Sequence, residues 1–101
     1  MRVIVFYDLP TITSNEQRNY RKFRKFLIRD GYVQLQESVY CKLALNAIAA
    51  RLIVERLRKN VPNKGLVQSL VITEKQFAQI EYLVGTKTNK EINSEERLIV
   101  L

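Results

Sequence analysis

Five consecutive residues near the start of the chain, Val3-Ile4-Val5-Phe6-Tyr7, are all β-branched or aromatic. A run of this kind, with no polar residue on either face, predicts a strand covered on both sides and therefore central in its sheet. It ends on Asp8 and the turn signal Leu9-Pro10, which sets a carboxylate at the C-terminal end of a buried strand. Ligands in open α/β sheets sit at that edge. Placement alone leaves two roles open for Asp8: a ligand-binding or catalytic group, or an acceptor for the next loop or helix N-terminus.

A chain of 101 residues has room for one domain and little stability to spare, so a partner subunit would help it. Its 47% hydrophobic and 27% charged content fits a soluble globular protein. No apolar run nears the roughly 18 residues of a membrane span. The opening apolar stretch is short, ends in Asp8 and lacks a small-residue cleavage site, so it does not read as a signal peptide, and a cytoplasmic location is expected. The single cysteine, Cys41, is expected to be a packed strand residue.

There is no histidine. That removes Ser-His and Cys-His nucleophile pairs, His-ligated zinc, and the histidine acid/base pairs of metal-independent ribonucleases. Catalysis would have to rest on carboxylates, a metal or lysine. The net charge of +7, from 17 basic and 10 acidic residues, points to a polyanionic partner such as nucleic acid.

The arrangement of those charges sharpens the point. From Glu16 to about Arg29 apolar residues fall at Tyr20, Phe23 and Leu27, with Phe26 widening the stripe, which predicts a helix lying on a sheet and stopped by Gly31. Ser14 and Gln17 fit a capping box at its start. Arg18, Arg21, Lys22, Lys25 and Arg29 recur at helical spacing as one stripe, and Arg24 adds a sixth cation on another side. A solvated helix face mixes signs to gain i, i+4 pairs; here cations stand without an anion between them, and like-charge repulsion follows unless phosphates neutralise them.

Farther on, Tyr32 to Ala44 alternates with apolar Val33, Leu35, Val39, Cys41 and Leu43. This predicts one long bent strand, or two short ones with a bulge or tight bend at Gln36-Glu37-Ser38, and no full hairpin because Gly and Pro are missing there. Leu45 to Asn60 reads as a second helix with Leu45, Ile48, Ala49, Leu52, Ile53 and Leu57 on a broad apolar face, and with Glu55 paired to Lys59. After a turn at Val61 to Gly65, Leu66 to Ile72 is a strand, Thr73 to Phe77 a capped helical turn, and Ile80 to Val84 a short strand ending at Gly85. Thr86 to Glu96 is polar, and the apolar end Leu98-Ile99-Val100-Leu101 is expected to add a strand to a sheet.

This order predicts an α+β fold of the ferredoxin-like (split βαβ) kind: an antiparallel sheet with two helices on one face, plus C-terminal strand extensions. Residues 1–85 would form the domain. Residues 86–101 would be a polar linker and a strand at the dimer or partner interface.

The chain resembles the CRISPR-associated protein two family over nearly its whole length. The resemblance is carried by the strand ending in Tyr7-Asp8, the arginine-rich first helix, Gln36-Glu37-Ser38-Val39-Tyr40, and Ile72-Thr73-Glu74-Lys75-Gln76-Phe77. Ser14 to Leu27 and the charged tail are similar to the branch found in type II systems. The resemblance implies a homodimer in which late strands join the partner's sheet and the two copies of Asp8 meet near the two-fold axis to share Mg²⁺. Ser38 and Tyr40 would line the same region. Two activities are implied: a subunit that binds duplex DNA (the protospacer) and bridges dimers of the CRISPR integrase during spacer acquisition, or a Mg²⁺-dependent endonuclease using Asp8 on double-stranded DNA or single-stranded RNA. The five-residue basic stripe suits phosphate tracking in the first. A third reading, an RNA-recognition module, is weakened because Ser38-Val39-Tyr40-Cys41-Lys42 lacks the Gly-aromatic strand motif used to stack bases.

Overall fold

Backbone hydrogen bonds in the computed structural model, which describes residues 1–86, join four strands into one antiparallel sheet of order β2-β3-β1-β4. The elements are β1 (Arg2–Asp8), α1 (Ser14–Arg29), β2 (Val33–Gln36), β3 (Val39–Leu43), α2 (Ala47–Arg58), β4 (Leu66–Ile72) and α3 (Glu74–Ala78). The apolar opening run is indeed central. β1 pairs with β3 from Arg2↔Leu43 to Phe6↔Val39 and with β4 from Arg2↔Ile72 to Asp8↔Leu66. Strand order and connections are those of the split βαβ arrangement.

Alternation along β1 sorts the core into two layers. Val3, Val5 and Tyr7 face α1 and α2 and pack with Phe23, Leu27, Ala50, Ile53 and Leu57. Ile4 faces the other way and packs with Cys41 and with Phe77 of α3. This second face is only partly covered, and Phe6 remains 37% exposed on it. Arg2 is buried there at 2% exposure: its Nε donates to both oxygens of Glu74 at 3.1 and 3.0 Å, and its guanidinium lies 4.1 Å from the Phe77 ring centre. A desolvated guanidinium needs such partners, and these tie α3 to the start of β1.

Several local expectations are corrected. The capping box of α1 is Thr13 with Glu16, not Ser14 with Gln17. Thr13 Oγ1 accepts from the Glu16 N–H at 3.1 Å, and Glu16 Oε1 accepts from the Thr13 N–H at 3.0 Å. Thr13 is extended, as a cap must be, whereas Ser14 is already helical. The expected bulge exists, with register shifting between Gln34 and Gln36, but it accompanies a full hairpin between β2 and β3. The extra residue lets the chain reverse without any non-glycine residue at positive φ.

Helix α2 buries Ala50, Ile53 and Leu57, while Leu45, Ile48 and Leu52, assigned to the same face by sequence, are 90, 69 and 62% exposed. Leu45 precedes the helix, which starts at Ala47 behind the Asn46 cap, and the remaining apolar positions span too wide an arc for one helix to bury against one sheet. Glu55 pairs with Arg58 at 2.8 Å and not with Lys59. Ile80 to Val84 forms no strand. Those residues line a groove on the open sheet face with Ile4, Phe6 and Leu70, so they cross the sheet instead of running along an edge where a ladder partner is available. The expected C-terminal strand lies outside the described residues.

Candidate carboxylate site and nucleic-acid interface

Asp8 closes β1 opposite Leu66 of β4. Strand alternation places it on the same face as Ile4 and Phe6, away from both long helices. It is exposed, and among the described residues no hydrogen bond or ion pair occupies its carboxylate. Its backbone is fixed by the returning loop. Gly65 has φ +90°, and a Cβ there would meet the Asp8 carbonyl oxygen at 2.8 Å, so only glycine lets β4 start this close.

An exposed, uncommitted carboxylate is the hard oxygen donor that Mg²⁺ takes. Among the described residues no three His, Cys, Asp or Glu side chains cluster for a metal. Mg²⁺ held at Asp8 would need donors beyond those that the described residues of one chain bring together.

The remaining residues assigned to that region by sequence are distributed differently. Ser38 contributes its backbone carbonyl, which accepts from the Tyr7 N–H at 3.1 Å. Tyr40 is buried on the helix side, with its ring 6.0 Å from that of Tyr7 and its hydroxyl accepting from Arg24 Nε at 3.2 Å. The Tyr40 side chain and Asp8 thus lie on opposite faces of the sheet. Burial, and then the neighbouring hydroxyls of Tyr40 and Tyr20, push the Tyr7 phenol far above its ordinary range, so Tyr7 stays protonated at any physiological pH.

The basic stripe lies with the helices. α1 turns Phe23 and Leu27 inward and leaves Arg18, Arg21, Lys22, Lys25 and Arg29 exposed on the outer side. Among the described residues none of the five is ion-paired. Nearby acids are already engaged: Asp30 binds Lys42 and Arg56, and Glu55 binds Arg58. Sequence reasoning set Arg24 apart from the stripe but missed its bond to the Tyr40 hydroxyl, and it missed the buried Arg2. No periodicity marks either, because each is fixed by a contact distant in sequence.

The family model for "CRISPR associated protein Cas2" matches residues 1–80. The chain belongs to the Cas2 family. It is 48% identical over 101 residues, spanning all of both chains, to a protein of Treponema denticola named "CRISPR-associated endoribonuclease Cas2". Similarly named relatives from Streptococcus mutans and Ligilactobacillus salivarius are 46 and 44% identical, each over all of this chain and 93 and 100% of their own. Among solved structures, the crystal structure of Streptococcus pyogenes Cas2 at pH 6.5 superposes with a TM-score of 0.61 at 21% identity, covering 83% of this chain and 100% of that one. The ferredoxin-like fold expected from sequence is therefore the fold of a Cas2 relative. No helix among the described residues is long and apolar enough to cross a membrane.

Proposed function

We propose that this Cas2-family chain works in CRISPR spacer acquisition as a homodimer that binds duplex DNA along its helix layer and bridges dimers of the CRISPR integrase. The observation that carries the reading is the outer side of α1, where five cations stand exposed with no paired anion among the described residues. Phosphates relieve that repulsion and release their counterions, giving affinity without sequence preference. A dimer carries twice the +7 charge of one chain. Charge reversal at Lys22 and Lys25 should weaken binding to duplex DNA and flatten its salt dependence. Unchanged binding sinks the proposal.

A second reading, a Mg²⁺-dependent endonuclease, draws support from Asp8 and from relatives named endoribonucleases. Two Asp8 carboxylates across a two-fold axis would hold the ion, and single-stranded RNA or duplex DNA would be the substrate. Bound Mg²⁺ supplies charge stabilisation at a phosphodiester oxygen and acidifies water, chemistry that needs no histidine. The chain's own part is to present Asp8 unpaired from a rigid central strand. Spacer acquisition in cells carrying Asp8→Ala separates the two: retained acquisition assigns the physiological role to binding, and lost acquisition with intact DNA binding assigns it to the carboxylate.

A further inference from the structure

Between α1 and the end of α2 runs a cleft of about 430 Å³. Asn15, Asn19 and Lys22 form one wall, and Lys59, Asn60 and Asn63 the other. Lys59 was expected to be neutralised by Glu55, but Glu55 is taken by Arg58. Glu16, at the start of α1, is likewise committed, accepting from the backbone N–H groups of Ile12 and Thr13. No acidic side chain lines the cleft. Two lysines from different elements thus share a cleft, and neither is ion-paired among the described residues. The Asn60 amide is spent on the Arg56 carbonyl at 2.8 Å, which leaves Asn15, Asn19 and Asn63 as neutral hydrogen-bonding groups. A smaller adjoining cleft shares these three asparagines and adds Lys64, together with Glu16 and the partly buried Tyr20.

We infer that this cleft holds the sugar–phosphate backbone of duplex DNA, so that the phosphate track crosses from α1 to the end of α2 instead of following α1 alone. The inference rests on the DNA-binding reading above and extends it to residues that no stripe in the sequence includes. Converging cations with amides between them are what a phosphodiester strand requires, the lysines as point charges and the amides as donors to phosphate and sugar oxygens. The cleft also discriminates between strands. Proteins that hold single strands stack bases on exposed aromatic rings; here the one aromatic side chain in the lining, Phe23, is 2% exposed and belongs to the core. Without a stacking platform, backbone contact remains, and that favours a duplex.

The test is fluorescence anisotropy with a labelled blunt DNA duplex, and separately with one of its strands, over a series of salt concentrations. Lys59→Gln should weaken duplex binding severalfold and lower the slope of log K against log salt by about 1. Asn63→Asp, which puts an anion into the cleft from a loop outside the helices, should weaken it as well. Lys25→Glu is the control on α1. If Lys25→Glu weakens binding while Lys59→Gln and Asn63→Asp do not, the cleft is not used and the inference falls, although α1 still binds DNA. If none of the three changes binding, the underlying DNA-binding reading falls. Equal loss on the single strand overturns the duplex assignment.

Discussion

Tyr32 illustrates how a single side chain carries a measurable signature. It is 6% exposed, and its hydroxyl has no hydrogen-bond partner among the described residues. Burial, with Asp30 next in effect and Arg56 opposing it, pushes its pKa from the ordinary 10 up to about 12. Across that window the unfolded chain ionises while the folded one keeps its proton. Stability from this group is therefore complete below about pH 10 and falls as pH rises toward about 12. Tyr32→Phe should flatten the alkaline limb of the Tm-against-pH curve and, by removing an unpartnered hydroxyl, leave stability at pH 7 unchanged or raised by up to about 1 kcal/mol. A steeper alkaline limb would contradict the assignment. For Asp8, exposed and uncommitted, Asp8→Asn should leave the unfolding free energy within about 0.5 kcal/mol of the parent while abolishing any Mg²⁺-dependent cleavage; calorimetry beside a cleavage assay checks both.

At the scale of elements, the caps and faces make opposing predictions. Thr13→Ala should cost about 1 kcal/mol in urea unfolding, whereas Ser14→Ala, inside the helix, should be neutral or raise stability by roughly a few tenths of that. On α2, Ile53→Ala should cost about 2–5 kcal/mol and Leu52→Ala under about 1, because only Ile53 faces the sheet. The pair also shows how far the sequence could be read. The order of strands and helices was legible because β1 is an unbroken apolar run, α1 carries one clear helical stripe, and β4 is an apolar-rich run set off by the turn before it. The orientation of α2 was not, since Leu45, Ile48 and Leu52 share the apolar character of Ala50, Ile53 and Leu57, and composition cannot tell which of two apolar arcs meets the sheet. The same limit applies to the candidate site. Asp8 and the α1 stripe were legible from local pattern, while the Lys22 and Lys59 convergence depends on how α1 packs beside α2, and Ile80 to Val84 had the composition of a strand but lies against the open sheet face without pairing along an edge.

For the molecule as a whole, the sheet separates two chemistries. The Asp8 carboxylate lies on the partly open face and the cation stripe on the helix side, so one bound segment of nucleic acid cannot touch both within a single chain without passing around the sheet. Lys25→Glu is therefore expected to weaken DNA binding without altering cleavage at saturating substrate. Asp8→Asn should do the reverse, and the double variant should show additive effects. Strong coupling between the two changes, measured by anisotropy and cleavage on the same preparations, would mean that one substrate spans both faces. The buried Arg2 lies on the Asp8 side of the sheet at the other end of β1, clamped by Glu74 and Phe77. The sheet's partition has a consequence for substitution as well. Either surface can change by itself: replacing the carboxylate leaves the outer side of α1 as it is, and exchanging the cations leaves the open sheet face as it is, with no rebuilding of the fold.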